Sequence, residues 1–399
     1  MKKRTLVLLF TLVFAIAALA GCGNGGGTAP PPAAEGGDSA EAPGGDTQFV
    51  GEPVRIAVAA PMTGDNAEYG QGFWNAVQLQ VDNWNNNGGV LGRRVEAVQF
   101  DDRNSAEEAA SIAERIAADP TIIGVIGHFS SGVAMTAAPT YNENQIINIS
   151  PSASHPDFSP IGDFIFRNNT VISVEAAAGL DIAVDLGLTQ IGILSIMTDW
   201  GTSTADIVTE LIEAHPDLTL VGHEEVLEGT VDYSPAITAL NNAGAEVIIC
   251  VSMYATLAPF AVQYQVVNPD IQIIGFSNAY SQQLISLGGD AVEGVRFPVS
   301  FFAGSPYPHV QDFVSRYMAA NGYSPSALTA QAYDSAGMLL EAVEIAGGTE
   351  DRMAIRDALS NISYFGVTGE PPTIFTPDGD VVREFTKVMI ENGVFVAVY

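Results

Sequence analysis

The chain has 399 residues, enough for about two domains, and 47% of them are hydrophobic, so it can bury sizeable cores. Its 15 Lys and Arg stand against 46 Asp and Glu, which gives a formal net charge of −31. Such a surface repels phosphate backbones, which excludes nucleic acid as a partner; the acidity serves either solubility or adaptation to salt or to an acidic exterior.

The first segment of the chain has the pattern of an export signal. A basic stretch at residues 2–4 precedes an apolar run over residues 6–19 and small residues follow, as in a secretory signal peptide rather than a membrane span. Leu19-Ala20-Gly21-Cys22 resembles the lipobox of bacterial lipoproteins. This resemblance implies that residues 1–21 are removed and that the Cys22 sulfur carries a lipid. The alternative is an ordinary signal peptide followed by a chance cysteine.

Residues 22–52 have the composition of a flexible tether. They are rich in Gly, Ala and Pro with scattered acidic residues, so they cannot bury enough apolar surface to fold. No uninterrupted apolar run of about 18 residues follows, and a lipid anchor is therefore the only membrane contact that we expect. The prediction is an exported body that a lipid anchor holds at the membrane, facing the periplasm or the cell exterior.

From residue 54 onward, short apolar runs alternate with segments of helical periodicity. The run over residues 55–60 precedes a segment that starts at Tyr69, in which apolar residues recur every three or four positions as far as Trp84. Further strands are predicted over 95–100, 122–126, 146–149, 191–196, 218–223, 247–251, 271–276 and 295–299, and further helices over 106–118, 131–142, 203–214, 233–243, 255–267 and 281–287.

The strands predict parallel sheets, because most of them are almost continuously apolar, as strands covered by helices on both faces are. The pattern starts again after Phe166-Arg167, which indicates two such sheets. We expect an α/β fold with two doubly wound parallel-sheet lobes. Since ligands bind at the carboxyl ends of strands in open α/β sheets, a cleft between the lobes is the expected site.

A series of short motifs occurs in the order found in one family of binding proteins. The motifs are Ile56-Ala57-Val58-Ala59-Ala60-Pro61-Met62-Thr63-Gly64, Asn87-Gly88-Gly89-Val90-Leu91-Gly92, Phe100-Asp101-Asp102, Gly127-His128, Ile149-Ser150-Pro151, Asp199-Trp200-Gly201, Gly289-Asp290-Ala291 and Asp378-Gly379-Asp380. With them the chain resembles the branched-chain (Leu/Ile/Val) amino-acid-binding lipoproteins of ABC transporters, which have the type I periplasmic-binding-protein fold. The resemblance implies one lobe over 54–170 and 301–364, another over 171–300 and 365–399, and a three-stranded hinge that ligand closes.

The resemblance implies a function as well as a fold. Proteins of this family capture a small polar ligand outside the cytoplasm and deliver it to the permease of an ABC importer. The implied ligand is a hydrophobic or branched-chain amino acid or a related carboxylate. The alternative is a ligand-sensing receptor component, but the lipobox and the long tether favour capture.

Two serine-containing loops are the implied grip on the ligand's carboxylate. Ser131, with Ser130 beside it, lies where a helix is predicted to start, and the free N–H groups of a helix N-terminus favour an anion. In the family, the residue that matches Ser152 offers a carbonyl to the ligand's ammonium, and the one that matches Ser154 offers a hydroxyl to its carboxylate. The alternatives are that the first pair only caps the helix and that the second belongs to a Pro/Ser turn.

Aromatic residues are the implied walls of the cleft. Tyr69, Trp200 and Tyr254 match family positions that line it, where aromatic rings offer apolar area and cation–π contact. Each could instead cover the core of a lobe. For Trp200 the cleft is favoured, whereas for Tyr254 both placements stay open.

The chain departs from the family at the group that should hold the ligand's ammonium. The family places an acidic residue after the strand over 271–276, where this chain has Ser277, and a second acidic position after Phe166-Arg167 is also missing. Asp199 or Glu175 could take over, although neither stands in the expected slot. Because an unpaired buried charge is prohibitive, a ligand without an α-ammonium, such as a carboxylic acid, an amide or a urea, stays open.

Catalysis is not expected from this sequence. The five histidines lack metal-ligand spacing, and neither a phosphate-binding loop nor a complete nucleophile elbow occurs. Cys250 stands in an apolar strand, which is typical of a core residue rather than of a nucleophile. We therefore expect no enzyme activity, no metal and no cofactor.

Overall fold

The computed structural model describes residues 49–370 and 372–398. The predicted signal peptide, Cys22 and most of the predicted tether lie outside these residues. The strands are β1 (Val54–Ala60), β2 (Val95–Asp101), β3 (Ile122–Gly127), β4 (Ile147–Ser150), β5 (Ile165–Arg167), β6 (Gln190–Ile196), β7 (Thr219–Val226), β8 (Val247–Val251), β9 (Gln272–Gly275), β10 (Arg296–Val299), β11 (Thr386–Glu391) and β12 (Val394–Ala397). The helices are α1 (Ala67–Asn86), α2 (Ala106–Ala117), α3 (Ser131–Glu143), α4 (Ile172–Asp185), α5 (Asp199–Ala214), α6 (Ser234–Asn242), α7 (Tyr254–Val267), α8 (Gln282–Gly288), α9 (Pro308–Asn321), α10 (Ala327–Ala346) and α11 (Arg352–Ser360). Within the described ranges, no helix combines the length and the apolar character that crossing a membrane requires.

The first sheet is parallel, with the strand order β2-β1-β3-β4-β5. Helices cover both faces of this sheet, as the two sets of side chains on β1 show. Val54, Ile56 and Val58 join one buried core together with residues of α1 and α10. The intervening Ala57 and Ala59 join a second core with residues of α2 and α3. This two-residue alternation of buried side chains explains why the strand reads as continuously apolar in the sequence.

The second sheet is mixed, with the strand order β12-β11-β10-β9-β8-β6-β7. Strands β6 to β10 are parallel, which confirms the predicted parallel sheet, while the unpredicted strands β11 and β12 run antiparallel to their neighbours at one edge. The cause is a tight hairpin. Its two turn residues, Asn392 and Gly393, both have positive φ, of 53° and 72°, as a two-residue hairpin turn requires.

The sequence patterns miss helices α4, α9, α10 and α11 as well as the short strand β5 and the two antiparallel strands. Helix α10 illustrates the reason, since it is buried without interruption over residues 327–340 between α1 and strands β3 and β4. A helix buried on all sides shows no alternation of polar and apolar faces. Helices α9 to α11 pack with the first sheet and its helices, whereas α4 packs on strands β8 to β10 of the second. The predicted elements occur with their ends shifted by up to four residues.

The chain passes between the two sheets at residues 168–171, 300–307 and 361–385. Arg167 links the first crossing to the third: its Nε donates to Asp380 Oδ1 at 2.5 Å, and its backbone N–H donates to the Gly379 carbonyl at 3.0 Å. Gly379 has a φ of +81°, and a Cβ there would lie 2.6 Å from the Ile165 carbonyl oxygen. Two motifs far apart in the sequence therefore form one contact beside the cleft.

Candidate functional site

Loops at the carboxyl ends of strands from both sheets enclose a cavity of about 380 Å³. The loops after β3 and β4 form one wall, and those after β6, β8 and β9 form the other, as parallel strands that end at facing edges allow. The predicted site residues that line it are Ser130, Ser131, Ser152, Ser154, Trp200 and Ser277, and they lie there with Phe129, Asn169, Glu175, Asp199, Glu228, Met253 and Leu328.

The N-terminus of α3 lies at the cavity wall. Ser130 is the residue before the helix, but its side chain makes no capping hydrogen bond. The Ser131 hydroxyl instead accepts hydrogen bonds from the backbone N–H groups of Ser154 and His155, at 3.3 and 3.4 Å. The alternative that these serines only cap the helix is therefore wrong. The uncapped helix end leaves N–H groups and a partial positive charge at the cavity, which favours an anionic group.

Helix α5 brings two side chains of the second sheet against the serine loops. It begins at Asp199, four residues earlier than predicted. The Trp200 indole Nε1–H donates to the Ser154 hydroxyl at 3.0 Å. The Asp199 carboxylate lies against the start of α3, where a Cβ on Gly132 would be 2.3 Å from Asp199 Oδ2. Trp200 and Asp199 thus bridge the two walls, and a side chain at residue 132 would displace the Asp199 carboxylate.

The Ser152 carbonyl, which the family resemblance assigns to the ligand's ammonium, is held by Asn169. The Asn169 side-chain amide donates to this carbonyl at 2.9 Å, and the Ser152 hydroxyl donates to the Phe129 carbonyl at 2.6 Å. Asn169 stands on the first crossing and lines the cavity, yet sequence reasoning did not select it. Asn169 directly follows the predicted break between the two sheets, and this position could have identified it as a candidate site residue.

Glu175 supplies the carboxylate that the sequence lacks at residue 277. It stands in the first turn of α4 and is buried, and its Oε1 accepts the backbone N–H of Ser277 at 2.6 Å. Burial raises the pKa of the Glu175 carboxyl to about 7, although the hydrogen bonds from Ser277 oppose the shift. Glu175 does not follow β9 in the sequence, but α4 folds back onto β9 and brings this acid to the end of that strand.

Tyr69 and Tyr254 lie in a neighbouring cavity rather than in this one. The Tyr69 ring stacks on Phe129 with 4.3 Å between ring centroids, and its hydroxyl donates to the Asn278 carbonyl at 2.8 Å. Phe129 and Asn278 both line the first cavity. Tyr69 therefore separates the two cavities.

Acidic groups dominate the charge of the first cavity. Among the described residues that line it are the carboxyls of Glu175, Asp199 and Glu228, and no Lys, Arg or His. Burial, and to a smaller extent Asp65, raises the pKa of Glu228. The described residues hold no cluster arranged for a metal ion. The cavity thus favours a cationic group beside the carboxyls and an anionic group at the N-terminus of α3.

The sequence model of the periplasmic binding proteins matches residues 53–393. The chain belongs to the periplasmic binding protein family. A Leu/Ile/Val-binding protein homologue of Brucella suis is 28% identical over 306 residues, which are 74% of this chain and 80% of that protein. The solved structure of a candidate branched-chain amino acid ABC transporter from Rhodospirillum rubrum is 33% identical, with a TM-score of 0.67 over 87% of this chain and 100% of that one. The branched-chain amino acid transporter substrate-binding protein of Streptococcus pneumoniae, solved with isoleucine, shares the fold at a TM-score of 0.79 and 21% identity, over 87% of this chain and 99% of that one.

As a periplasmic binding protein, the chain is a solute-binding component of ABC transport that works outside the cytoplasm, and it is not an enzyme. The burial of Cys250 is consistent with this function. It lies buried in β8, and burial raises the pKa of its thiol to about 12, so it is a core residue and not a nucleophile.

Proposed function

We propose that this periplasmic binding protein captures an α-amino acid with a hydrophobic side chain, of the Leu, Ile and Val class. The observation that carries the proposal is the buried carboxylate of Glu175 in the same cavity as the uncapped N-terminus of α3. An α-amino acid carries the complementary pair of charges on one carbon atom. The name of the Brucella suis relative, a Leu/Ile/Val-binding protein homologue, supports the same ligand class.

Each part of the ligand has a partner in the proposed complex. The N–H groups at the start of α3 bind the carboxylate, together with the hydroxyls of Ser131 and Ser154. Glu175 pairs with the ammonium, which removes the cost of burying either charge alone. Phe129 and Trp200 offer apolar contact to the side chain.

The two sheets with their helices act as two lobes in this proposal. Helices α9 to α11 pack with the first sheet, and α4 packs on the second. This packing supports a division into one lobe over 54–170 and 301–364 and another over 171–300 and 365–399. The crossings at 168–171, 300–307 and 361–385 form the hinge, and ligand favours the closed arrangement because it contacts both walls.

Replacing Glu175 by Gln tests the proposal. Calorimetric titration should show that leucine binds the variant about 100-fold more weakly, equivalent to about 2.7 kcal/mol, because its ammonium is buried without a counter-charge. The deaminated analogue 4-methylpentanoate should bind wild type and variant alike. Asp181→Asn is a matched control, since Asp181 is an exposed acid on the same helix and should leave leucine binding unchanged.

Two outcomes contradict the proposal. Equal leucine affinity of wild type and Glu175→Gln would show that Glu175 does not hold the ammonium. Binding of 4-methylpentanoate, a short amide or urea by the wild type, with no binding of leucine, would show that the ligand lacks an α-ammonium.

The proposal also includes the membrane anchor and the transport partner of the protein. Residues 1–21 act as a signal peptide, a lipid on Cys22 anchors the chain, residues 22–52 form the tether, and an ABC permease receives the ligand. The lipobox-like Leu19-Ala20-Gly21-Cys22 and the Gly/Pro-rich composition that follows support the anchor.

A further inference from the structure

A second cavity, of about 480 Å³, lies on the other side of Tyr69. Helix α1 and the segment over 323–329 form one of its walls, and the segments over 280–283, 302–304 and 394–395 form another. It therefore lies between elements of both lobes, as the first cavity does. Tyr69 closes the passage between the two cavities by stacking on Phe129 and by donating to the Asn278 carbonyl.

Glu68 is the charged residue of this second cavity. Among the described residues that line it there is no Lys, Arg, His or other carboxylate. Glu68 Oε1 accepts a hydrogen bond from the Ser281 hydroxyl at 2.6 Å. The Tyr254 hydroxyl lies close to the carboxylate, but Glu68 Oε2 is buried and accepts no hydrogen bond of good geometry from any described residue. A buried carboxylate oxygen without a donor is costly, so the arrangement fits a ligand that brings a donor and a positive charge.

The walls around Glu68 suit an ammonium on an aliphatic chain. They include the aromatic rings of Tyr254, Tyr280, Phe302 and Phe395. The rings of Tyr280 and Phe395 pack together with 4.3 Å between centroids. Burial and then the charge of Glu68 raise the pKa of Tyr254, which places the carboxylate close to that ring. Aromatic faces attract cations and offer apolar area to methylene groups.

We propose that the second cavity is a binding site for a primary ammonium group on a short aliphatic chain, with Glu68 as its counter-charge. The ammonium belongs either to a free amine or to the far end of a diamino acid whose α-groups occupy the first cavity. The second of these sources rests on the proposed function and requires the Tyr69 side chain to turn aside. The site itself does not depend on what the first cavity binds.

Titration of the purified protein with 1,5-diaminopentane, lysine and leucine tests the site. Glu68→Gln should weaken the binding of 1,5-diaminopentane, lysine or both by at least about tenfold, since the ammonium loses its buried counter-charge. Leucine affinity and the thermal unfolding midpoint should change little, because the glutamine oxygen can still accept the hydrogen bond from Ser281. Glu96→Gln is the matched control, because Glu96 is an exposed acid on β2. The uncharged 1,5-pentanediol should not bind.

The variants distinguish the two sources and the two proposals. A free-amine site requires that 1,5-diaminopentane binding falls in Glu68→Gln and survives Glu175→Gln, whereas a diamino-acid site requires that lysine binding falls in both. If Glu175→Gln loses leucine binding and Glu68→Gln does not, the result bears on the proposed function and not on the amine site. The amine site is overturned if the wild type binds neither 1,5-diaminopentane nor lysine, or if Glu68→Gln binds them as the wild type does.

Discussion

The carboxyl of Glu175 is subject to two opposing effects. Burial favours its neutral form, while the Ser277 N–H, 2.6 Å from Oε1, favours the charged form. Burial prevails and the pKa rises to about 7. A bound ammonium reverses this balance, because an opposite charge at short range stabilises the carboxylate. Ligand binding and the protonation of one side chain are therefore linked.

This linkage predicts a pH dependence of leucine affinity. Below a pKa of about 7 the carboxyl must lose a proton before it can pair with the ammonium. Affinity should therefore be constant above pH 8 and fall by up to about tenfold for each pH unit below the pKa. In the ligand-free protein the sign is opposite: the raised pKa contributes stability that is fully present below 4.5 and lost as pH rises through about 7.

Calorimetric titrations with leucine between pH 5.5 and 8.5 measure the effect. Repeating them near pH 6.5 in buffers of different ionisation enthalpy shows whether a proton is released on binding. The weaker binding of Glu175→Gln should not change with pH over this range. A constant wild-type affinity from pH 5.5 to 8.5 would mean that Glu175 does not titrate with the ligand.

Sequence reasoning could find the serines of the site and could name Glu175 as one of two candidate acids, but it could not place that acid in the site. Ser131 and Ser154 lie in the loops that follow predicted strands, and the carboxyl ends of parallel strands place such residues in one cleft. Glu175 reaches Ser277 across 102 residues of chain because α4 packs on the second sheet. That packing is a tertiary contact, and no local pattern specifies it. The same holds for Tyr69, whose position between two cavities depends on both lobes.

At the scale of whole elements, the pattern of burial decides which helices can be predicted. Helix α2 buries Ala109, Ile112, Ala113 and Ile116 and exposes its other side, so its apolar residues recur with helical spacing. Helix α10 lies between α1 and the first sheet and is buried on every side. The sequence of α10 therefore reads as apolar without a period, and the helix escapes prediction although it is as long as α1.

The contact between the first and third crossings can be tested through Arg167. Arg167→Met should lower the free energy of unfolding by about 3–5 kcal/mol, because it leaves the Asp380 carboxylate with the Ser159 hydroxyl but without its counter-charge, and removes the donor to the His155 carbonyl. Arg316→Met removes another Arg–Asp pair, Arg316 with Asp312 on the surface of α9, and one hydrogen bond to the Tyr333 hydroxyl. Its cost should stay below about 2 kcal/mol. Urea denaturation of both variants provides the comparison.

A milder substitution keeps this test decisive if Arg167→Met fails to fold. Asp380→Asn retains an oxygen that can accept from Arg167 Nε but removes the charge, so its cost should lie between those of the two arginine variants. Similar small losses for Arg167→Met and Arg316→Met would show that the crossings are held by something other than this ion pair.

At the scale of the whole molecule, a few polar contacts hold the lobes together around the cavities. Trp200 donates to Ser154, Tyr69 to Asn278 and Ser281 to Glu68, and each hydrogen bond joins the two lobes. Single hydrogen bonds contribute about 0.5–1.5 kcal/mol each, so together they favour this arrangement only modestly. In the proposed function, a ligand that contacts both walls adds to the same balance and favours the closed molecule.

The net charge of −31 bears on the proposed lipid anchor. Anionic lipid surfaces repel so acidic a body, and no electrostatic attraction can replace an anchor. We expect the mature chain in a lipoprotein-processing bacterium to begin at Cys22 with a diacylglycerol on its sulfur. Mass spectrometry of the N-terminal peptide measures this. In Cys22→Ser residues 1–21 should remain attached, whereas Cys250→Ser, which changes only the buried cysteine, should be processed normally.

A chain whose residues 1–22 are replaced by an ordinary secretory signal isolates the effect of charge. It should appear entirely in the fraction free of membranes even at low ionic strength, where any attraction to lipid headgroups would be strongest. The anchored wild type should stay with the membranes at both low and high salt, because the acyl chains hold it through apolar burial. Membrane association of the unanchored chain would show that the body binds a membrane partner by itself, and an unmodified Cys22 would show that the lipobox-like motif is a coincidence.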